Sequence, residues 1–247
     1  MKFLGDVVAY FTSASTWSGA DGIVHRAAEH TGMSVLAVLA GVVIALPVGL
    51  ALGHTGRGGA LTISVSNLGR AVPSFAIIVI AASVFGIGAE PAFIALVALA
   101  IPPIVTNTYV AIDGVDTDAK DAARGLGYTG GQLLRRVEMP LALPLIMAGI
   151  RTSAVQVVAT ATLAALVGWG GLGRYIIDGL ATRDFVEVFA GALLVALLSI
   201  ATEVVLAGVQ RVIVPRGLRR AAVGGAGAGG EVATLPGVAG AGHGAKR

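Results

Sequence analysis

The sequence predicts an all-α membrane protein, and three observations point to this class. Of its 247 residues, 55% are hydrophobic and only 13% are charged, and the mean hydropathy is +0.86. A soluble domain is nearer a quarter charged, so these few charges cannot cover a water-soluble globule of this size. Long runs without charges alternate with short polar segments, and a helix needs about 20 mostly apolar residues to cross a bilayer. The chain has no cysteine, which excludes disulfides and thiolate metal sites.

The first three apolar runs carry no charged residue. They comprise residues 34–52, 71–89 and 91–112, and Arg70, Glu90 and Asp113 separate or end them. Pro47 and Pro73 are predicted to kink or begin helices, which membrane bundles tolerate. Each run is long enough to span the membrane as one helix.

Two further runs each contain one charged residue. Residues 140–167 include Arg151, and residues 188–210 include Glu203. Five membrane-spanning helices are therefore predicted. Gly and Ala are frequent in all five runs, so the helices can approach closely and pack by van der Waals contact.

The placement of Lys and Arg predicts the orientation, because cytoplasmic loops carry an excess of both. With residues 113–139 inside, twelve of the 17 Lys and Arg fall in interior segments, four fall in exterior segments, and Arg151 lies within a span. This bias places the N-terminus outside and the C-terminus in the cytoplasm. The net charge is only +3, and the basic residues are scattered between apolar runs, so nucleic acid is not an expected partner.

Three regions are predicted along the chain. Residues 1–30 form an extracytoplasmic leader, either flexible or containing an amphipathic interfacial helix around Phe3–Phe11. Residues 31–215 form the transmembrane domain. Residues 216–247 are rich in Gly and Ala without apolar periodicity, so they cannot bury enough surface to order themselves. They are predicted to be a disordered cytoplasmic tail.

A polar segment with a distinctive spacing separates the third and fourth runs. It contains Asp121-Ala122-Ala123-Arg124, then Gly127-Tyr128, and later Val137-Glu138-Met139-Pro140. We expect two short helices, with Gly127 turning sharply between them at positive φ and small alanines that let a partner surface approach. Pro140 is expected to begin the next helix, and Asp121 to cap backbone donors or meet a partner's arginine. The alternative is an ordinary solvated loop.

This spacing resembles the cytoplasmic coupling loop of ABC importer permeases, with Asp121 where that family usually has Glu. Further segments are similar to the permeases of quaternary-amine importers, which take up osmoprotectants such as glycine betaine, choline and carnitine. These segments are residues 30–53, 107–109, 151–152, 159–163 and 168–173. The resemblance covers roughly residues 30–215. It implies a type I ABC importer (MetI-like) core of five or six transmembrane helices, with a coupling loop at residues 113–140.

The resemblance also implies partners and a mechanism. Two cytoplasmic ATPase subunits would bind the coupling loop, whose contact residues would be Asp121, Ala122, Ala123, Arg124, Gly127, Tyr128, Val137 and Pro140. A second permease copy or a paralogue, membrane lipid and an extracytoplasmic solute-binding protein complete the expected partners in a prokaryotic cell membrane. Solute would cross by alternating access.

No catalytic role is expected for this chain. None of its three lysines lies in a glycine-rich context that cradles phosphates, so ATP and Mg²⁺ are expected on the partner ATPase and no cofactor is expected here. Two alternatives stay open. Permeases for methionine and other amino acids share the same core, and an ion-coupled secondary transporter would usually show intramembrane titratable groups and repeated halves.

Polar residues inside the spans have structural and functional interpretations. Arg151 and Glu203 lie at similar depths, about 16 Å and 12 Å from the cytoplasmic ends of their runs. They are predicted to form an ion pair, because lone charges in lipid are costly; alternatively, each snorkels to water. Candidates for lining a translocation pathway are Asn107, Gln156, Thr160 and Thr162. Such residues also serve as ordinary interhelical hydrogen-bonding groups.

Residues 168–173, Gly-Trp-Gly-Gly-Leu-Gly, match the spacing of a dinucleotide fingerprint but follow a membrane helix instead of a strand. We expect an external turn that is either purely structural or part of an extracytoplasmic gate formed by Gly168, Trp169, Gly170, Gly171 and Gly173. The four histidines, His25, His30, His54 and His243, are expected in loops or tails, so no metal site is predicted.

Overall fold

A computed structural model describes residues 2–59, 64 and 72–214, and all the regular elements in these ranges are helical. The predicted all-α class is therefore confirmed. The helices, in chain order, are α1 (Lys2–Thr12), α2 (Ala14–Trp17), α3 (Ile23–Thr55), α4 (Ser74–Phe85), α5 (Ala89–Asp113), α6 (Thr117–Gly125), α7 (Gly130–Leu133), α8 (Met139–Thr160), α9 (Gly173–Thr182) and α10 (Phe185–Ile213). A π turn (Leu134–Glu138) precedes α8, and a 3₁₀ segment (Ala161–Val167) follows it.

Four helical segments in the described part of the chain are long and apolar enough to cross a membrane. They are α3, α5, the continuous run Gly130–Val167 and α10. The remaining predicted run, residues 71–89, contains α4, whose 12 residues extend about 18 Å. This helix is shorter than the roughly 30 Å hydrocarbon core, because Pro73 precedes it and Gly86 ends it with a φ of +88°. Residues 60–63 and 65–71 lie outside the described residues.

Helices α3 and α5 pack together through a stripe of small residues spaced four apart, so that they share one face of α3. The stripe consists of Gly41, Ala45, Gly49 and Gly53, all of them buried. A Cβ atom at Gly49 would lie 2.6 Å from Thr108 Cβ, and one at Gly53 would lie 2.7 Å from Ile112 Cβ. Only glycine permits this approach, as the abundance of small residues predicted.

The same contacts fix the relative direction of α3 and α5. Gly41 lies against Ala100, Gly49 against Thr108, and Gly53 against Ile112, so residue numbers rise together along both helices. The helices are parallel, and the chain has to return across the layer between Thr55 and Ala89. A fifth crossing therefore follows from the packing, although α4 alone is too short to make it.

The N-terminal region is helical and packs on the bundle. Of the two alternatives for residues 1–30, the helix is present as α1, and the Phe3 ring meets the Phe189 ring of α10 edge-on at 5.7 Å. Its position at the membrane surface stays a prediction. Helix α3 begins at Ile23, so the predicted boundary between residues 30 and 31 lies inside a continuous helix. The predicted tail, residues 216–247, lies outside the described residues.

The histidine prediction was wrong for three of four residues. His25, His30 and His54 all lie in α3, because this helix extends at both ends beyond the apolar run and stops only at Gly56, whose φ is +63°. His243 lies outside the described residues. In the part of the chain that the structure describes, no group of three or more His, Cys, Asp or Glu side chains is placed to hold a metal ion.

Candidate functional site: the 113–140 loop

The loop, residues 113–140, contains the two predicted short helices. Asp116 caps α6 by accepting a hydrogen bond from the Asp118 amide at 3.0 Å. Thr129 and Gln132 form a capping box at α7, where the Thr129 amide donates to Gln132 Oε1 at 2.9 Å. Gly127 lies between the helices with a φ of +83°, which confirms the predicted turn.

Ala122 and Ala123, the two alanines of the motif, point in different directions. Ala122 is exposed on α6, whereas Ala123 is buried at 5% exposure. The expectation that both alanines form an approach surface was wrong for Ala123, because successive residues of a helix point in different directions. Val137 and Tyr128 are half-buried, and Pro140 is exposed.

The prediction that Asp121 caps a helix was also wrong. Asp121 lies inside α6, where its Oδ1 accepts a hydrogen bond from Arg124 Nη1 at 2.7 Å. The cap position belongs to Asp116, five residues earlier. Asp121 and Arg124 form an exposed pair on the outer surface of the loop, and contact with a partner's arginine stays a prediction.

A π turn joins the loop to α8. The Met139 amide donates to the Leu134 carbonyl, five residues back, instead of four. Pro140 has no N–H, and its ring would clash with the carbonyl four residues earlier in a regular helix. The wider turn accommodates this proline in the first turn of α8, as predicted. It also places Glu138 inside the protein at 1% exposure.

Two polar contacts tie the loop to the ends of long helices. Lys120 Nζ donates to the carbonyls of Ile112 and Asp113, both at 3.1 Å, and so satisfies the C-terminal end of α5. Glu138 Oε2 accepts a hydrogen bond from Nδ1 of His54, in the last turn of α3, at 2.5 Å. Sequence reasoning missed both contacts. Glu138 stands out in the sequence as an acidic residue between Val137 and Met139. Its neighbours in the sequence, however, do not indicate a partner 84 positions away.

The predicted ion pair is present. Arg151 Nε of α8 lies 3.0 Å from Glu203 Oε1 of α10. Gln210, which the sequence did not indicate, extends the contact by accepting from Arg151 Nη1 at 3.0 Å and donating to the Pro144 carbonyl at 3.0 Å. The polar groups thus satisfy one another between two helices, as intramembrane charges require.

Three of the four candidate pathway residues donate side-chain hydrogen bonds to nearby backbone carbonyls. Asn107 Nδ2 donates to the Pro103 carbonyl, Thr160 Oγ1 to the Gln156 carbonyl, and Thr162 Oγ1 to the Ala159 carbonyl, each at 2.8 Å. A cavity of about 380 Å³ between α3, α8 and α10 is almost wholly apolar, and none of the four residues lines it. Their role in a pathway stays a prediction.

The glycine-rich turn, residues 168–173, lies at the opposite end of α8. It follows a 3₁₀ segment and not a strand, so it is no dinucleotide site. Gly168 and Gly171 have φ values of +80° and +77°, and a Cβ atom at Gly170 would collide with the carboxylate of Glu29. Gly173 is equally restricted, because its Cβ would collide with the Thr162 carbonyl.

Two residues of α3 hold this turn, and neither was anticipated. Glu29 Oε2 accepts a hydrogen bond from the Gly171 amide at 3.0 Å, and Arg26 Nη1 donates to the same oxygen at 2.9 Å. His30 Nδ1 accepts from the Leu172 amide at 3.3 Å, while its Nε2 lies 2.8 Å from the Val158 carbonyl. The ring therefore bridges the turn and α8, with the Trp169 ring centroid 6.4 Å away.

Fold and site together define a multi-pass membrane protein with a structured polar loop between two of its long apolar helices. The chain belongs to the family described as "Binding-protein-dependent transport system inner membrane component", whose model matches residues 32–219. It is therefore an inner-membrane permease of the ABC importer type. Permeases of this family work with ATPase subunits and solute-binding proteins. The prediction of an ABC importer permease is confirmed.

Individual relatives agree with this assignment. The chain is 39% identical over 197 residues to the Bacillus subtilis glycine betaine/carnitine/choline transport system permease OpuCB, covering 80% of this chain and 91% of that protein. It is 38% identical over 198 residues to the choline transport system permease OpuBB of the same organism, with the same coverage. An inward-facing structure of the MetNI methionine ABC transporter matches with a TM-score of 0.70 and 25% identity, over 83% of this chain and all of that one. The predicted MetI-like core is confirmed.

Proposed function

We propose that this permease belongs to an ATP-driven importer for small quaternary ammonium osmoprotectants such as glycine betaine, choline and carnitine. The observation that carries this proposal is the 39% identity to a permease named for those three solutes. The methionine transporter is similar at 25% identity, which supports the shared fold more than a shared solute. Methionine or another amino acid is accordingly the second candidate solute.

In this proposal, the 113–140 loop is the docking site of cytoplasmic ATPase subunits, which bind ATP and Mg²⁺. Its exposed surface includes Asp121, Ala122, Arg124 and Gly127, and its inner surface is tied to α5 by Lys120. A loop held in this way moves as a unit with the helices it joins. Closure of the ATPases then converts the permease between inward-open and outward-open states. No step of the chemistry takes place on this chain.

The proposal places the N-terminus outside and the C-terminus in the cytoplasm, in agreement with the bias of Lys and Arg toward the loop side. Two permeases, identical or paralogous, enclose the route, because five crossings are few for a gated pathway. The glycine-rich turn then lies on the outer side, where a solute-binding protein delivers its cargo. An aromatic cage in that protein would select the quaternary ammonium group by cation–π attraction.

The test is transport by a reconstituted complex. The chain is purified together with its ATPase and solute-binding protein partners and placed in proteoliposomes. Uptake of labelled choline, glycine betaine, carnitine and methionine is then measured with and without ATP on the side of the ATPase. Uptake of the quaternary amines is expected only with ATP and the binding protein. Uptake that follows an ion gradient without the ATPase would refute the ABC mechanism, and uptake of methionine alone would refute the solute assignment.

A further inference from the structure

Glu138 and His54 form a polar contact in an unexpected place. The Glu138 side chain is 2% exposed and the His54 side chain 24%, so the carboxylate is almost wholly removed from water. Burying a charged group is costly unless it is paired and hydrogen-bonded. Glu138 is buried near the end of the loop, whereas Asp121, Ala122 and Arg124 of the surface proposed to bind the ATPase are exposed.

The local backbone is built around this contact. The π turn ends at Glu138 and directs it into the protein, toward the last turn of α3. The start of α7 lies against the same histidine, because a Cβ atom at Gly130 would be 3.3 Å from His54 Nε2. His54 therefore contacts both the start and the end of the second half of the loop.

Chain connectivity gives the contact a specific consequence. Helix α5 leads directly into the loop, and α8 leads directly out of it, so both follow any displacement of the loop. Helix α3 has no such connection, because the chain leaves it at Gly56 and returns only through α4 and α5. His54 links it to the loop by a hydrogen bond, and Leu46 and Leu50 pack against the apolar cluster that includes Val115 of the loop, while the small-residue stripe holds α3 to α5 along its length.

We propose that Glu138 and His54 are positioning residues that transmit movement of the loop to α3. This inference rests on the proposed function, since it names the path by which ATP-driven movement of the loop reaches a helix outside the loop's own chain segment. Through α3 the movement also reaches Glu29 and His30, which hold the glycine-rich turn on the opposite side of the bundle. The contact thus connects the ATPase side to the outer turn along one continuous helix.

Removing the carboxylate should uncouple ATP hydrolysis from transport. In Glu138→Ala, we expect the ATPase subunits to co-purify and ATP hydrolysis to stay within about twofold of the parent, while uptake falls at least about tenfold, a loss equivalent to about 1.4 kcal/mol. Glu138→Gln retains an oxygen that can accept from His54 Nδ1, so it should keep most of the uptake. Glu90→Ala, which removes an exposed acid at the opposite end of α5, is the matched control and should resemble the parent.

A second measurement does not depend on the solute. The chain has no cysteine, so Ala51→Cys provides a single exposed reporter three residues before His54. Its labelling rate with a membrane-impermeant maleimide should change when ATP is added to the parent complex and stay constant in the Glu138→Ala complex. If ATP-driven uptake is absent in the parent while this difference persists, the proposed function fails and the inference stands.

Three results would overturn the inference. One is normal uptake by Glu138→Ala. Another is loss of the ATPase subunits or of folding in this variant, because the contact would then serve assembly. The third is a reporter at position 51 that responds to ATP equally in both complexes, or in neither.

Discussion

At the scale of single residues, Gly127 is the position where backbone conformation limits the sequence most clearly. Its φ of +83° is unfavourable for any residue with a Cβ atom, although no atom lies within 4 Å of where a Cβ would be. Gly127→Ala should therefore strain the turn by roughly 1–2 kcal/mol without a steric clash. We expect ATPase binding to weaken by about tenfold, measured as the affinity of the purified permease for its ATPase subunit.

Gly131→Ala is the matched control for this prediction. Gly131 lies in the same loop, has no atom within 4 Å of the place a Cβ would occupy, and does not have positive φ. Alanine should be neutral or should stabilise α7 by about 0.5–1 kcal/mol. Equal binding by the two variants would show that the conformation of the turn does not govern docking.

The Arg151–Glu203 pair allows a second prediction at this scale. Glu203→Ala leaves the Arg151 guanidinium with Gln210 as its remaining observed partner between α8 and α10. Polar contacts between membrane helices contribute on the order of 1 kcal/mol, so the midpoint of thermal unfolding in detergent should fall by a few degrees. Glu203→Gln keeps a hydrogen-bond acceptor and should recover part of the loss. An unchanged midpoint in Glu203→Ala would mean that each charge reaches water independently.

At the scale of elements, the small-residue stripe of α3 should control how closely this helix approaches α5. In Gly49→Ala, the added Cβ would lie 2.6 Å from Thr108 Cβ, so the helices must separate, at a cost of about 1–3 kcal/mol for overpacking. Gly32 lies in the same helix, and a Cβ added there would meet nothing within 4 Å. We therefore expect Gly49→Ala to lower the midpoint of thermal unfolding and Gly32→Ala to leave it unchanged or raise it. A similar effect of both variants would contradict the conclusion that the stripe controls the approach of α3 to α5.

The sequence predicted the elements that are determined by residues close together in the chain. Apolar length identified four long helices, and the spacing around Gly127 identified the two helices of the loop and its turn. The π turn was not predicted, although Pro140 is its local cause, because proline is equally compatible with an ordinary helix start. The ends of α3 were missed because polar residues such as His30 and His54 continue the helix beyond the apolar run, where composition no longer distinguishes helix from loop.

Long-range polar contacts were predicted only where the membrane limits the choice of partner. Arg151 and Glu203 were matched because few charges lie at that depth. Glu138–His54 and Glu29–Gly171 lie near the ends of helices, where many polar groups are available and depth does not select among them. Three-dimensional packing, and not sequence spacing, determines those pairs.

At the scale of the whole molecule, α3 connects the two polar ends of the bundle. Its first turns hold the glycine-rich turn through Glu29 and His30, and its last turn holds the loop through His54. The parallel stripe contacts hold α3 against α5 along its length. A displacement at one end therefore has a continuous helical path to the other end.

The parallel pairing of α3 and α5 leads to a prediction about topology. If the chain returns across the membrane between Thr55 and Ala89, the start of α3 and the 113–140 loop lie on opposite sides. Exposed single cysteines placed by Ser15→Cys in α2 and Asp118→Cys in α6 report the two sides, because the chain has no cysteine of its own. An impermeant maleimide should label Ser15→Cys in intact cells and Asp118→Cys only after the membrane is opened. Labelling of both from one side would contradict the return crossing, and the reverse pattern would place the loop outside the cell, beyond the reach of any cytoplasmic ATPase.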